Sequence, residues 1–216
     1  MENQNTHDSL KSKRAQRAVE ISADMFLKQG IEAVKMTDIA DACGVGVATL
    51  YRYFGTKTAI TIAAMTYLWK KIKGMYDHVF ETEVFLSQNG LKRIADLMKM
   101  YLVLFDTHRD FMKLVGEFDL MLARDEVPKS VLYEYEQSII NFYPYMEDAF
   151  RAGVQDGSIR GDIDFKLFYL TCGHSMLELS KKMLCGELLP SDDFTNGRAE
   201  LELLADMAVN YLQKRD

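Results

Sequence analysis

Proline and glycine are scarce: 3 and 13 in 216 residues. So few chain breakers do not suit a many-turned all-β fold, and the expectation moves to helices. The three cysteines, Cys43, Cys172 and Cys185, are odd in number and widely spaced. With no CxxC pair and no Cys/His cluster, neither a disulfide framework nor a zinc site is indicated. The longest uncharged stretches, residues 58–69 and 167–177, fall short of the ~18–20 residues that span a bilayer. Residues 1–20 are polar and lack an apolar core segment, so no secretory signal is expected and the chain reads as cytoplasmic. Nucleophile elbow, P-loop, dinucleotide fingerprint and HExxH motif are all missing, so no catalytic residue, cofactor or metal is nominated.

What remains is ordinary globular composition, 48% hydrophobic and 27% charged. A chain of this size buries about 70% of its unfolded surface without staples. The net charge of −6 hides an asymmetry. Up to Lys73 there are 11 Lys+Arg against 7 Asp+Glu, and beyond it 15 against 25. A basic head on an acidic body is what a protein needs when only its head meets a polyanion.

Helical periodicity runs throughout. Ala18, Ile21, Met25 and Phe26 mark one face of a helix over 12–29, ended by Gly30. Thr37 suits the cap of a short helix through Ala42, and a third short helix covers 47–54. Thr56 caps a fourth. Longer amphipathic segments follow around 91–105, 111–122, 129–154 with Pro144 as a kink, 164–185 and 198–214. The pattern predicts an all-α chain of about nine helices.

The informative stretch is 37–57. A steep helix crossing needs a small residue at the closest approach, here Ala40, and a turn residue tolerant of positive φ, here Gly44. Val45, Leu50 and Phe54 supply the apolar lock. That is a helix-turn-helix, whose second helix fits the major groove of B-DNA. Its first residues face base edges, which nominates Val47, Ala48 and Arg52, the last able to grip guanine O6 and N7 in bidentate fashion. Thr37, Thr49, Tyr51, Tyr53 and Lys57 suit phosphates through hydroxyls, a charge and a helix N-terminus. Lys13, Arg14 and Arg17 read either as further phosphate or minor-groove contacts or as a solvated face.

The runs TDIADACGV, ATLYRYF and TKTAI, residues 37–45, 48–54 and 56–60, closely resemble the DNA-binding domain of the TetR family of bacterial transcriptional regulators. The likeness covers about 15–64, with Gly46 standing where the family commonly has Ser. The resemblance carries Tyr51, Tyr53 and Lys57 over to backbone contacts. It implies a helix-turn-helix domain at 1–56 and a helical ligand-binding and dimerisation domain at 57–216. It also implies a homodimer on a palindromic duplex operator, and repression relieved by a small molecule.

The body is rich in Met and aromatic residues, which adapt to irregular ligands and fill ordinary cores equally well. Trp69, Phe118, Tyr143 and His174 are the candidates for contact with a largely apolar effector. His174 and Glu178 stand one helical turn apart with no third metal ligand nearby, so a core or interface histidine is the plainer reading. Glu117 and Asp119 flank Phe118 and either favour a cationic effector or are exposed or paired. Two stripes, Phe165, Phe168, Tyr169, Cys172 and Met176, then Leu201, Leu204, Ala208 and Tyr211, suit a two-fold four-helix interface. A monomeric core is the competing use of those stripes. The alternatives to an effector-controlled regulator are a regulator whose body binds a protein partner and, more distantly, a helical enzyme.

Overall fold

The computed structural model describes residues 2–76 and 78–214, with side chains from residue 12 onward. Those residues form eleven α-helices and no β-strand. They are α1 (Glu2–Gln29), α2 (Met36–Cys43), α3 (Val47–Phe54), α4 (Lys57–Tyr76), α5 (Glu83–Leu86), α6 (Gly90–Thr107), α7 (Arg109–Arg124), α8 (Tyr133–Ser138), α9 (Tyr143–Asp156), α10 (Phe165–Cys185) and α11 (Gly197–Leu212). The extra two come from the short α5 and from the segment 129–154, which is not one kinked helix. It divides into a 3-10 turn (Lys129–Val131), α8 and α9. Pro144 therefore opens a helix instead of bending one. In the first turn its missing N–H is no loss.

Two compact units result: Met1–Met75 with Leu114–Ile140, and Tyr76–Lys113 with Asn141–Asp216. In the first, α1 packs on both α2 and α3. Ala23, Phe26, Ile39, Leu50, Ile60, Met65 and Phe118 are almost wholly buried there. Gly30 ends α1 at φ 81°, the left-handed turn that the sequence pattern anticipates.

In the second unit α6 meets α9 backbone to backbone. A Cβ built on Gly90 would lie 2.1 Å from the Gly153 nitrogen and 2.2 Å from the Ala149 carbonyl oxygen. The Gly90 N–H donates to the Asp156 carboxylate at 2.9 Å. The Ser158 hydroxyl and the Gly90 and Ser158 N–H groups hold that carboxyl below the usual carboxylate range. Phe80 gathers Phe85, Phe142 and Tyr145 within 5.4–6.0 Å between ring centres. Arg93, nearly buried, lies 5.1 Å over Phe85 and pairs with Asp148 at 2.5 Å. Asp164 caps α10 by accepting from the Leu167 N–H at 3.0 Å. No described helix is long and apolar enough to cross a membrane.

Candidate nucleic-acid interface

The helix-turn-helix is built by its turn. Gly44 adopts φ 66°, ψ 35°, and the Val45 N–H returns to the Ala40 carbonyl at 3.0 Å, closing α2 in the manner of a Schellman cap. A side chain at Gly44 would strain this conformation. Gly46 needs no such freedom: its φ is −68°, and a Cβ there would meet nothing within 4 Å. The hydroxyl common at this place in the family would fit, so α3 simply starts without a side-chain cap.

The start of α2 differs from the expectation that Thr37 caps it. Helical conformation begins at Met36, and Asp38 reaches back to accept from the Lys35 N–H at 2.8 Å. Thr37 stands exposed in the first turn, its hydroxyl 3.4 Å from the Asp38 carboxylate. One carboxylate does the capping that the sequence assigned to the hydroxyl, because it sits at the third helical position where reach-back caps occur. Thr56 does cap α4, accepting from the Ala59 N–H at 3.0 Å.

Within α3 only Leu50 is buried, and it is wholly so. Ala48, with Tyr51 and Arg52 one turn further on, forms the exposed face; Val47, Thr49, Tyr53 and Phe54 are half-buried at its flanks. The Arg52 guanidinium lies 5.6 Å over the Tyr53 ring, and Tyr53 meets Phe54 edge-on at 6.3 Å. Lys57 donates to the Glu32 carbonyl at 3.4 Å, so its ammonium is held at the start of α4.

Lys13, Arg14 and Arg17 converge. They form one wall of a groove of about 520 Å³ whose other wall is Cys43, Val45 and Tyr53 beside the turn. Burial raises the Cys43 thiol, against the opposing pull of Arg17, so it stays protonated at neutral pH.

A clamp in the same unit left no local signal in the sequence. Glu117 of α7 accepts from the Ile31 N–H at 2.8 Å, which rules it out as a free carboxylate for a cationic effector. Arg124 pairs with Glu32 and, at 2.9 Å, with Asp125, and Asp125 accepts from the Thr58 hydroxyl at 2.7 Å. The Arg124 guanidinium holds Glu32, and the Thr58 hydroxyl and then Arg124 hold Asp125, below the usual carboxylate range. The end of α7 thereby grips both the α1–α2 connection and the first turn of α4. Partners 86, 92 and 67 residues apart carry no spacing pattern to read.

Of the effector candidates, Trp69 and Phe118 meet on a common residue, Tyr135. Phe118 meets Tyr135 at 4.9 Å with the rings inclined at 56°, and Trp69 donates its indole N–H to the Tyr135 hydroxyl at 3.2 Å. In the other unit Tyr143 packs against Phe165 and Tyr169 at 5.5 and 5.0 Å, while His174 is exposed rather than a core residue. Among the interface candidates, Phe168, Met176, Leu201 and Ala208 are buried within the chain itself. Cys172 and Leu204 are half-buried, and Tyr211 is exposed beneath the Arg160 guanidinium at 4.5 Å. The apolar residues that α10 and α11 present outward also include Leu167, Leu170, Leu203 and Met207.

Residues 19–64 match the family model of bacterial regulatory proteins, tetR family. The chain is similar to the HTH-type transcriptional repressor KstR2 of Rhodococcus jostii, 26% identical over 163 residues and 74% of each chain. Its fold resembles that of a TetR transcription regulator from Haloarcula marismortui, with a TM-score of 0.68 at 16% identity over 94% of this chain and 100% of that one. It also resembles the ketosteroid transcriptional regulator KstR2 of Mycobacterium tuberculosis, with a TM-score of 0.55 at 18% identity over 94% and 96%. With a helix-turn-helix of this geometry inside the matched residues, residues 19–64 form a DNA-binding domain of the tetR-family type, and the chain is a DNA-binding transcriptional regulator.

Proposed function

We propose that the protein is a cytoplasmic homodimeric repressor that leaves a palindromic operator when a small, largely apolar effector binds within residues 57–216, with residues 1–56 as the DNA-binding domain. The observation that carries the DNA half is the split of α3, Leu50 turned wholly inward and Ala48, Tyr51 and Arg52 outward. Val47, Ala48 and Arg52 read bases. Thr37, Thr49, Tyr51, Tyr53 and Lys57 hold phosphates, and the groove of Lys13, Arg14 and Arg17 beside the turn extends that positive surface. Two such helices need a two-fold axis. The outward row of Leu167, Leu170, Leu203, Met207 and Tyr211 supports one through α10 and α11, with Phe165, Tyr169, Cys172 and Leu204 at its margin. The buried Phe168, Met176, Leu201 and Ala208 shape that surface from within. The name of the M. tuberculosis relative, a ketosteroid regulator, fits an apolar effector class.

Lys57 gives the test. The Lys57→Ala variant should bind all duplex sequences more weakly in equal measure and lower the salt slope of binding by about one unit. Anisotropy titrations of operator and unrelated DNA across a salt series read both quantities. An unchanged slope would confine Lys57 to its contact with Glu32.

A further inference from the structure

We propose that a cleft of about 270 Å³ in the first unit, between α1, α4 and residues 131–135, is a ligand site for a short amphiphilic carboxylate. Its floor is one face of α4. Ala59, Ile62, Ala63, Thr66, Tyr67 and Lys70 recur at helical spacing over twelve residues, roughly 16 Å of helix. Two alanines in that row keep the floor low where a leucine would fill it.

Along α4 the lining changes from apolar to polar. Ala59, Ile62 and Ala63 share the cleft with Val19 of α1 and Val131. Thr66 turns its hydroxyl back to the Ile62 carbonyl at 2.8 Å, so it adds a methyl rather than a donor. The other end holds Tyr67, Tyr135 and the Lys70–Glu134 ion pair at 2.7 Å.

The ion pair selects the head group. Glu134 is the more exposed partner, at 76% against 56% for Lys70. An exposed pair contributes little, so a ligand carboxylate can take over Lys70 while Glu134 turns to water. Both partners line the cleft, and a cationic head would have to displace Lys70, the less exposed of the two. Tyr135 does not repel an anion: burial pushes its phenol up to about 12, and its oxygen accepts from the Trp69 indole.

The position gives the site regulatory meaning. Gln16 and Val19 belong to α1, the helix that packs on α2 and α3, and the floor belongs to α4. An occupant therefore touches both helices that flank the helix-turn-helix. That meaning rests on the effector reading above; binding itself does not.

The full chain, free of DNA, is titrated with octanoate, octanol and octylammonium by calorimetry and by the emission of Trp69, the single tryptophan. Octanoate should bind more tightly than the other two and shift the Trp69 emission through Tyr135. Ala63→Leu should weaken octanoate by about fivefold or more. Lys70→Gln should weaken it about two- to fivefold, to the level of octanol. Ala59→Leu repeats the filling test where Ala63→Leu does not fold. Equal octanoate affinity in the wild type and the filled variants, or no binding, would overturn the site. Operator affinity is read separately. Saturation by octanoate with unchanged operator affinity would support the ligand site and overturn its regulatory meaning.

Discussion

Replacing Gly90 by alanine should unfold the second unit or leave it severely weakened. The added methyl would sit within 2.2 Å of backbone atoms of Gly153 and Ala149, and backbone cannot swing aside as a side chain can. The helices α6 and α9 must separate, which opens the Gly90–Asp156 hydrogen bond and loosens the packing on both sides. Ordinary overpacking costs ~1–3 kcal/mol, and a backbone clash exceeds it. The melting temperature should fall by more than ~6 °C, taking about 2–4 °C per kcal/mol for a chain of this length. Gly74→Ala is the matched control. It lies in α4 with open space around the new methyl, and alanine in a helix interior should add about 0.5–1 kcal/mol. Equal melting temperatures for Gly90→Ala and the wild type would refute the contact.

The second large effect is expected at Leu50. It is the only buried side chain of α3 and is fully enclosed, so Leu50→Ala removes the whole anchor of that helix. Core truncations of this kind cost ~2–5 kcal/mol. Here the loss falls on the seating of an eight-residue helix, too short to hold its shape alone. Operator affinity should drop by roughly 30-fold or more, the factor equivalent to ~2 kcal/mol. Leu50→Met conserves volume and should stay close to wild type. Calorimetry of the variant should show the second unit melting as before. Operator binding within twofold of wild type in Leu50→Ala would mean that α3 is not the helix that meets DNA.

The reading of α3 from sequence succeeded because all its determinants are local. Glycines at 46 and 55 bound it, Gly44 sets the turn, and one apolar residue points inward. The same holds for the cap at Thr56. Where the pattern failed, the deciding contact was absent from the neighbourhood or the local signal was ambiguous. Pro144 either kinks a helix or starts one, and the break at 139–142 decides for the second. Thr37 and Asp38 both offer a cap, and the helix start one residue earlier gave the role to Asp38.

The stripes of α10 and α11 have helical period, but period does not fix phase. Leu167 and Phe168 are neighbours of equal apolarity, one exposed and one buried, and only the packing of α11 against α6 and α10 tells them apart. The clamp of Glu117, Arg124 and Asp125 was illegible because charged partners far apart in the chain follow no spacing rule. The effector candidates were chosen for residue type alone, and the fold distributes them over two units.

The most direct measurement is selection of duplexes from a random pool by the wild-type protein and by Arg52→Ala. The wild type should recover a palindrome whose half-sites lie about 34–36 Å apart, centre to centre, one turn of DNA. Arg52→Ala should recover the same palindrome with one base pair per half-site relaxed, at a cost of ~1–3 kcal/mol against the preferred base. A pool that emerges without half-site symmetry, or an identical base preference in the two proteins, would contradict sequence reading by the exposed face of α3.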